Sequence, residues 1–259
     1  TLAVERELGR GDVAVCALPP AHWCDGSTLD LTSIGKAARA RGAALVVDAT
    51  QWIGATAGGL PVADCSFVAA SVHKWLLGPY GACLCYCAPG FWEDAEPLEH
   101  HDRNRVGADK VECLPMGAQG YPTDFLGSAQ RLDSGGRPSY IVMPMLRTSL
   151  ELVLELGPAR IARHTSVLTR RIRDEALQLG FDAPTSHAPH LIGLWPSPRM
   201  PTSVEIVRWL AARPTPVRVA ERFGAIRVSP YLFTTAADVD VLVKSLAGAI
   251  PCLRAARKC

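Results

Sequence analysis

The chain has 259 residues, of which 48% are hydrophobic and 20% are charged, and its formal net charge is +2 at pH 7. A chain of this size and apolar content buries a large core, in one domain or two. Its lysines and arginines are scattered rather than gathered in one stripe, which argues against nucleic-acid binding. No apolar run is long enough to span a bilayer and no signal-peptide pattern opens the sequence, so we expect a cytoplasmic protein without a membrane partner.

The nine cysteines form no C-x-x-C pair and stand mainly inside apolar runs. We therefore expect reduced core thiols rather than a disulfide framework. The run "CLCYC" would place Cys83, Cys85 and Cys87 on one face of a strand, which leaves a soft-metal site as an alternative. We favour packing and predict no metal site, because buried cysteine behaves as a small hydrophobic residue.

Short apolar runs alternate with a helical pattern in the first half of the chain. The run at 13–18 predicts a strand buried on both faces, and the pattern at 29–42 predicts a helix that ends at Gly42. Three more strands are predicted at 43–48, 65–71 and 82–87. Such runs are typical of an α/β protein, so we predict a three-layer α/β/α architecture around a mostly parallel sheet.

The second half changes character. Residues 90–138 are rich in Gly, Pro and polar groups, and a long helical pattern follows in which Pro144 is tolerated only in the first turn. A second long helix ends at Gly180, and the remaining pattern of strand, helix, two strands and helix predicts a smaller α+β domain. We place the boundary between a large domain, 1–157, and a small domain, 158–259.

Two polar residues follow neighbouring predicted strands. Asp48 closes one strand and Lys74 comes three residues after the next, so both are expected at the carboxyl edge of the sheet, where α/β proteins bind ligands. Gln51 is expected beside Asp48. The residues alone leave two interpretations open: a structural ion pair, or a Schiff-base lysine whose amine is activated by partial burial and by the neighbouring His73.

An ordered set of motifs extends this observation over almost the whole chain. "LVVDATQWIGA", "SVHKWLLGPYG" and "AIRVSPYLFTTAADVDVLVKSL" together resemble the class V aminotransferase family of pyridoxal-phosphate enzymes, which have the fold-type I architecture. That family includes kynureninases, cysteine desulfurases and an isopenicillin N epimerase. The resemblance implies pyridoxal 5'-phosphate as cofactor, an amino acid as substrate and a homodimer, because active sites of this fold type form between subunits.

The resemblance also implies roles in cofactor binding. Lys74 would hold the cofactor aldehyde as a Schiff base, and Asp48 would keep the pyridine nitrogen protonated so that the ring acts as an electron sink. Gln51 would donate a hydrogen bond to the ring oxygen. Ser71 and His73 would approach the phosphate.

Substrate-binding residues follow from the same comparison of motifs. Arg227 matches the arginine that clamps the substrate carboxylate, a task suited to a planar bidentate guanidinium. His22 and Trp23 match a position where the family often has a polar or aromatic substrate-site residue. His187 and His190 have the spacing of a metal pair, but they match a strand entry and are interpreted as structural.

The sequence also departs from the family pattern. The family carries a substantial segment before the first residue, Thr1, which supplies the phosphate-binding helix start, so we expect a truncated member whose cofactor site is incomplete. Gly136 stands where relatives have a threonine or glutamate that reaches the partner's cofactor, leaving the N–H groups of Gly135 and Gly136 for the phosphate. Residues 210–227 contain no cysteine, which disfavours desulfurase chemistry.

The sequence therefore predicts a pyridoxal-phosphate-dependent enzyme that acts on an amino acid by transamination, epimerisation or kynureninase-like cleavage. The alternative is a truncated, catalytically inactive homologue that serves as an interaction protein or is a fragment.

Overall fold

A computed structural model describes residues 1–93, 96–107, 123–135 and 139–256. The chain divides into two compact units, and both are built from several segments. Unit 1 comprises Thr1–Leu18, Asp30–Thr50 and Leu60–Leu150, and unit 2 comprises Pro19–Leu29, Gln51–Gly59 and Glu151–Cys259. The boundary near residue 157 stays a prediction.

Unit 1 contains a four-stranded sheet with short helices before, between and after its strands. Its elements, in chain order, are α1 Leu2–Leu8, β1 Val15–Leu18, α2 Leu31–Arg39, β2 Ala44–Asp48, β3 Phe67–Ser71, β4 Cys83–Cys87 and α3 Pro89–Trp92, with 3₁₀ turns at Val62–Asp64, Asp102–Asn104 and Ala129–Leu132. Helix α4, Val142–Leu156, follows and passes from the residues of unit 1 to those of unit 2. Pro144 lies in its first turn, as predicted.

The strand order is β1-β2-β3-β4, with the first three strands parallel and β4 antiparallel to β3. The prediction of a mostly parallel sheet is confirmed. The prediction that the first strand is buried on both faces is wrong, because β1 is an edge strand whose Val15 is 56% exposed. Strand β4 is also largely exposed, with only Cys87 buried.

Helix α2 packs closely on this sheet. Its first turn is capped by the Asp30 carboxylate, which accepts hydrogen bonds from the N–H groups of Thr32 and Ser33. Its apolar side chains Leu31, Ile34 and Ala38 are buried, as the periodicity predicts.

Unit 2 is an α+β body with an antiparallel sheet in the order β5-β6-β8-β7. Its elements are α5 Pro158–Gln178, β5 Phe181–Asp182, β6 Ile192–Pro196, α6 Ser203–Ala211, β7 Ala220–Arg222, β8 Ala225–Val228 and α7 Ala236–Ala256. One hydrophobic core joins the sheet to the three helices; its fully buried members include Ile172, Ile192, Leu194, Ile206, Ile226 and Leu246.

The segment Pro19–Leu29 is anchored to strand β6 by backbone contacts within unit 2. The Gly193 N–H donates to the Asp25 carbonyl at 2.8 Å. A Cβ at Gly193 would lie 2.7 Å from the Asp25 Cα, so only glycine permits this approach. This contact fixes the position of His22 and Trp23 in unit 2.

Two further findings concern the described residues of both units. Among the described residues, no helix combines the length and the hydropathy that crossing a membrane requires. The thiols of Cys16, Cys24, Cys65 and Cys87 are buried, as expected of core cysteines. The expectation is wrong for three others, which are exposed: Cys83, Cys85 and Cys252.

Candidate active site

The ends of strands β2 and β3 are joined by a short series of hydrogen bonds. The Thr50 N–H donates to Asp48 Oδ1 at 3.0 Å, and Thr50 Oγ1 accepts the Ser71 N–H at 3.0 Å. The two strands pair in parallel, with Asp48 opposite Ala69. Asp48 is exposed at this edge while Thr50 is buried, so the carboxylate is presented to solvent by a rigid strand end.

Backbone hydrogen bonds within unit 1 hold the turn that carries Lys74. The Gly78 N–H donates to the Val72 carbonyl at 2.8 Å, and the Leu77 N–H donates to the Lys74 carbonyl at 3.1 Å. A Cβ at Gly78 would lie 2.9 Å from Val72 Cγ2, and Val72 is fully buried, so the turn requires glycine there. The Lys74 backbone is thereby fixed three residues beyond the end of β3.

The structure differs from two features expected of Lys74, while its role as a Schiff-base lysine stays a prediction. Lys74 is exposed rather than partly buried. Within the described part of the chain its Nζ makes no ion pair and no hydrogen bond, so it is not half of a structural ion pair with Asp48. Its amine is therefore open to a ligand at the sheet edge.

His73 is half-buried and contacts Tyr80, a residue that was not predicted to belong to the site. Its imidazole stacks on Tyr80, with ring centroids 4.2 Å apart and planes inclined by 18°. Tyr80 is itself mostly exposed, so the pair forms a ring surface beside the Lys74 turn. The phosphate contacts of His73 and Ser71 stay predictions.

The glycine pair predicted to meet the phosphate is described only in part. The Gly135 N–H donates to the Glu99 carboxylate, so this donor already has an acceptor in unit 1. Gly136 lies outside the described residues. The phosphate contact of this loop stays a prediction.

In unit 2, Arg227 projects from β8 as a half-buried cation. Its Nη1 donates to the Trp23 carbonyl at 3.0 Å, and its buried Nε has no partner among the described residues. Desolvation by burial lowers the pKa of the guanidinium, and the charge of Arg222 lowers it further. No carboxylate within the described residues pairs with Arg227, so a bound anion would stabilise it.

Trp23, whose backbone carbonyl accepts the hydrogen bond from Arg227, and its neighbour in sequence, His22, are both exposed. The His22 Nδ1–H donates to Asp25 Oδ1 at 3.2 Å. Trp23 makes an edge-to-face contact with Phe223, with ring centroids 5.6 Å apart. Phe223 is 81% exposed and has φ of +49°, a strained conformation for a bulky residue. The local sequence around Phe223, between Arg222 and Gly224, does not predict this contact with Trp23.

Gln51 belongs to unit 2, although it follows Asp48 by only three residues. It is buried, and its backbone makes a hydrogen bond with His190. His190 is fully buried, and desolvation lowers the pKa of its imidazole to about 4. The contact of Gln51 with the cofactor ring stays a prediction.

Comparison with known proteins identifies the chain's relatives. Residues 5–181 match the protein family described as "Aminotransferase class-V". The chain is 31% identical over 239 residues to isopenicillin N epimerase of Streptomyces clavuligerus, and the match covers 85% of this chain and 56% of that protein. The chain thus spans little more than half the length of this relative.

Solved structures with the same fold include a cysteine desulfurase and a cystine C–S lyase. The apo cysteine desulfurase of Thermococcus onnurineus NA1 superposes with a TM-score of 0.78 at 18% identity, over 96% of this chain and 62% of that one. A variant of the cystine C–S lyase C-DES, with glycine covalently linked to its pyridoxal-phosphate cofactor, gives a TM-score of 0.75 at 20% identity, over 95% and 63%. These matches confirm the predicted fold-type I architecture.

Proposed function

Because the chain belongs to the class-V aminotransferase family, whose cofactor is pyridoxal phosphate, we propose that it binds this cofactor through Lys74 and acts on an amino acid. One observation carries the proposal. The parallel pairing of β2 with β3 sets the Asp48 carboxylate and the Lys74 turn at the same edge of one sheet. This is the edge at which α/β proteins bind ligands.

The side chains at this edge fit the cofactor's chemistry. Asp48 Oδ1 accepts one N–H and its second oxygen is open among the described residues, which leaves an acceptor for a protonated pyridine nitrogen. Lys74 Nζ has no competing partner and is the amine that would condense with the cofactor aldehyde. Bound pyridoxal phosphate would supply an electron sink. Asp48 would hold the proton on the ring nitrogen, and Lys74 would move the substrate's α-proton.

Arg227 supplies the recognition of the substrate in this proposal. Its guanidinium lacks a carboxylate partner among the described residues, and a planar cation of this kind binds a carboxylate through two parallel hydrogen bonds. The Trp23 carbonyl accepts a hydrogen bond from Arg227, and the side chains of Trp23 and His22 are exposed, so we propose that they contact the substrate side chain. The proposed substrate is therefore a free amino acid or a compound that carries an amino-acid terminus.

The reaction is proposed to be a transamination, an epimerisation or a kynureninase-like cleavage. The 31% identity with isopenicillin N epimerase supports testing epimerisation first. Residues 210–227, which precede and include Arg227, contain no cysteine, which argues against a persulfide mechanism. We also propose a homodimer, and size-exclusion chromatography at several concentrations tests it.

The cofactor itself provides the direct test. The purified chain with added pyridoxal phosphate should develop an absorption band near the edge of the visible range, and borohydride reduction should leave the cofactor's mass on the Lys74 peptide. Lys74→Ala should lose both signals. Lys36→Ala, which removes an exposed lysine from α2 in the same unit, is the matched control and should keep them. A parent chain with neither signal would favour the inactive-homologue alternative.

Asp48→Asn separates cofactor binding from catalysis. The amide keeps the size of the side chain but cannot hold the ring proton as a carboxylate does. We expect the cofactor band to remain and the exchange of the substrate α-proton to slow by about a hundredfold or more, the lower end for loss of a group that stabilises developing charge. Proton exchange followed by NMR measures this rate, and an unchanged rate would remove Asp48 from the proposed mechanism.

A further inference from the structure

Strand β4 carries cysteine at three alternate positions, which places Cys83, Cys85 and Cys87 on one face. Cys83 and Cys85 are exposed, and their sulfur atoms lie 3.7 Å apart. Free cysteine is among the residue types most often found buried. In the described part of the chain these two thiols lie side by side on one strand face, so both can reach one ligand.

A disulfide does not fit this arrangement. The bond requires about 2.05 Å between sulfur atoms and a Cα separation of about 4.4–6.8 Å. The observed sulfur separation is 3.7 Å. Residues two apart on an extended strand are about 6.8 Å apart at Cα, the upper limit for a disulfide. Closing the bond would shorten β4 and disturb its register with β3, in which Cys83 faces Ser71 and Cys85 faces Ala69.

The separation does fit one cation held between the two sulfur atoms. Tetrahedral Zn²⁺ binds thiolates at about 2.3 Å, which places two such sulfur atoms about 3.8 Å apart. We propose that Cys83 and Cys85 form a two-thiolate binding site for a thiophilic divalent cation such as Zn²⁺. Binding replaces the two S–H bonds with two metal–sulfur bonds and releases two protons to solvent. No electron is transferred, so no oxidant is needed.

A negative charge acts on the Cys85 thiol from the carboxylate of Asp133. A divalent cation bound between the two sulfur atoms would be attracted by this charge. The Asp133 carboxylate is exposed and has no hydrogen-bond or ion-pair partner within the described residues.

The site differs from a closed structural zinc centre. Within the described residues, no group of three or more His, Cys, Asp or Glu side chains is arranged to hold a metal ion. Cys87 shares the strand face, but it is only 6% exposed. Two protein thiolates would therefore bind the ion, and water would occupy its remaining positions.

Titration with Cd²⁺ tests the proposal, because cadmium thiolates absorb in the near ultraviolet while zinc thiolates are harder to detect. The reduced full chain should bind one Cd²⁺ with an absorption change appropriate to two thiolates, and added Zn²⁺ should displace it. Cys83→Ser and Cys85→Ser should each weaken binding by at least about tenfold, the lower limit seen even for lost outer-shell partners. Cys252→Ser, which removes an exposed thiol from α7, should bind as the parent does.

A second measurement needs no variant. Zn²⁺ should protect Cys83 and Cys85 of the parent chain from alkylation, as mapped by peptide mass spectrometry, and should leave Cys252 reactive. The proposal is overturned if the parent, with its thiols shown to be free, gives no cadmium band, or if either serine variant binds like the parent. Equal protection of Cys252 would also overturn it.

Discussion

Acid should destabilise unit 2 because the buried imidazole of His190 resists protonation in the folded chain. This side chain is fully buried, and burial lowers its pKa to about 4, against an ordinary value of 6.5. The unfolded chain therefore binds a proton between pH 6.5 and pH 4 that the folded chain does not bind. Stability contributed by neutral His190 is complete above pH 6.5 and is lost as the pH falls to about 4.

The size of this effect follows from the shift of the pKa. A difference of one pKa unit corresponds to about 1.4 kcal/mol, so the folded chain should lose about 3 kcal/mol of unfolding free energy between pH 7 and pH 4. His190→Asn removes the titrating group. The difference in unfolding free energy between parent and variant should therefore change by about this amount over the same range.

Urea unfolding followed by tryptophan fluorescence measures that difference. The tryptophans Trp23, Trp52, Trp195 and Trp209 belong to unit 2, so the signal reports mainly on the unit that contains His190. His187→Gln removes an imidazole from the same loop but keeps His190, and it should lose stability with acid as the parent does. Parallel pH profiles for the parent and His190→Asn would refute the assignment of the acid sensitivity to His190.

Three further changes test the packing of unit 2. Gly193→Ala would place a Cβ 2.7 Å from the Asp25 Cα and should destabilise the fold by about 1–3 kcal/mol in the same urea assay. Gly59→Ala is the control, because its added Cβ would have no atom within 4 Å and should change stability little. Thr202→Ala removes the capping box of α6 and should cost about 1 kcal/mol in thermal or urea unfolding. Phe223→Gly relieves a φ of +49° and should stabilise the hairpin by about 1 kcal/mol, and a loss of stability would show that its ring contact with Trp23 outweighs the strain.

Much of the fold was predictable because it depends on local sequence patterns. The continuous apolar runs that end at Leu18, Asp48 and Ser71 identify the three parallel strands, and the spacing of Leu31, Ile34 and Ala38 identifies the buried face of α2. These signals depend only on residues a few positions apart. They therefore survive in a single sequence without any knowledge of the neighbouring elements.

Exposure was less predictable because it depends on which elements lie next to a strand. The runs that contain Val15 and Cys83 read as buried strands, yet both residues are exposed on strands at the edges of the sheet. The antiparallel direction of β4 was equally hidden, since a short apolar run has the same composition in either direction. The division of the chain between units, which separates Asp48 from Gln51, likewise has no local signal.

The candidate site combines both kinds of information. Asp48 and Lys74 were identifiable from their places after predicted strands, but the sequence did not show that the Lys74 turn is fixed by the contact between Gly78 and Val72. The contact between Gly78 and Val72 determines how the cofactor test with Lys74→Ala is interpreted. Because the turn is held by backbone and by a buried valine, Lys74→Ala removes an exposed amine without removing any contact that holds the turn. A lost cofactor signal in that variant would therefore report the missing amine rather than a collapsed turn.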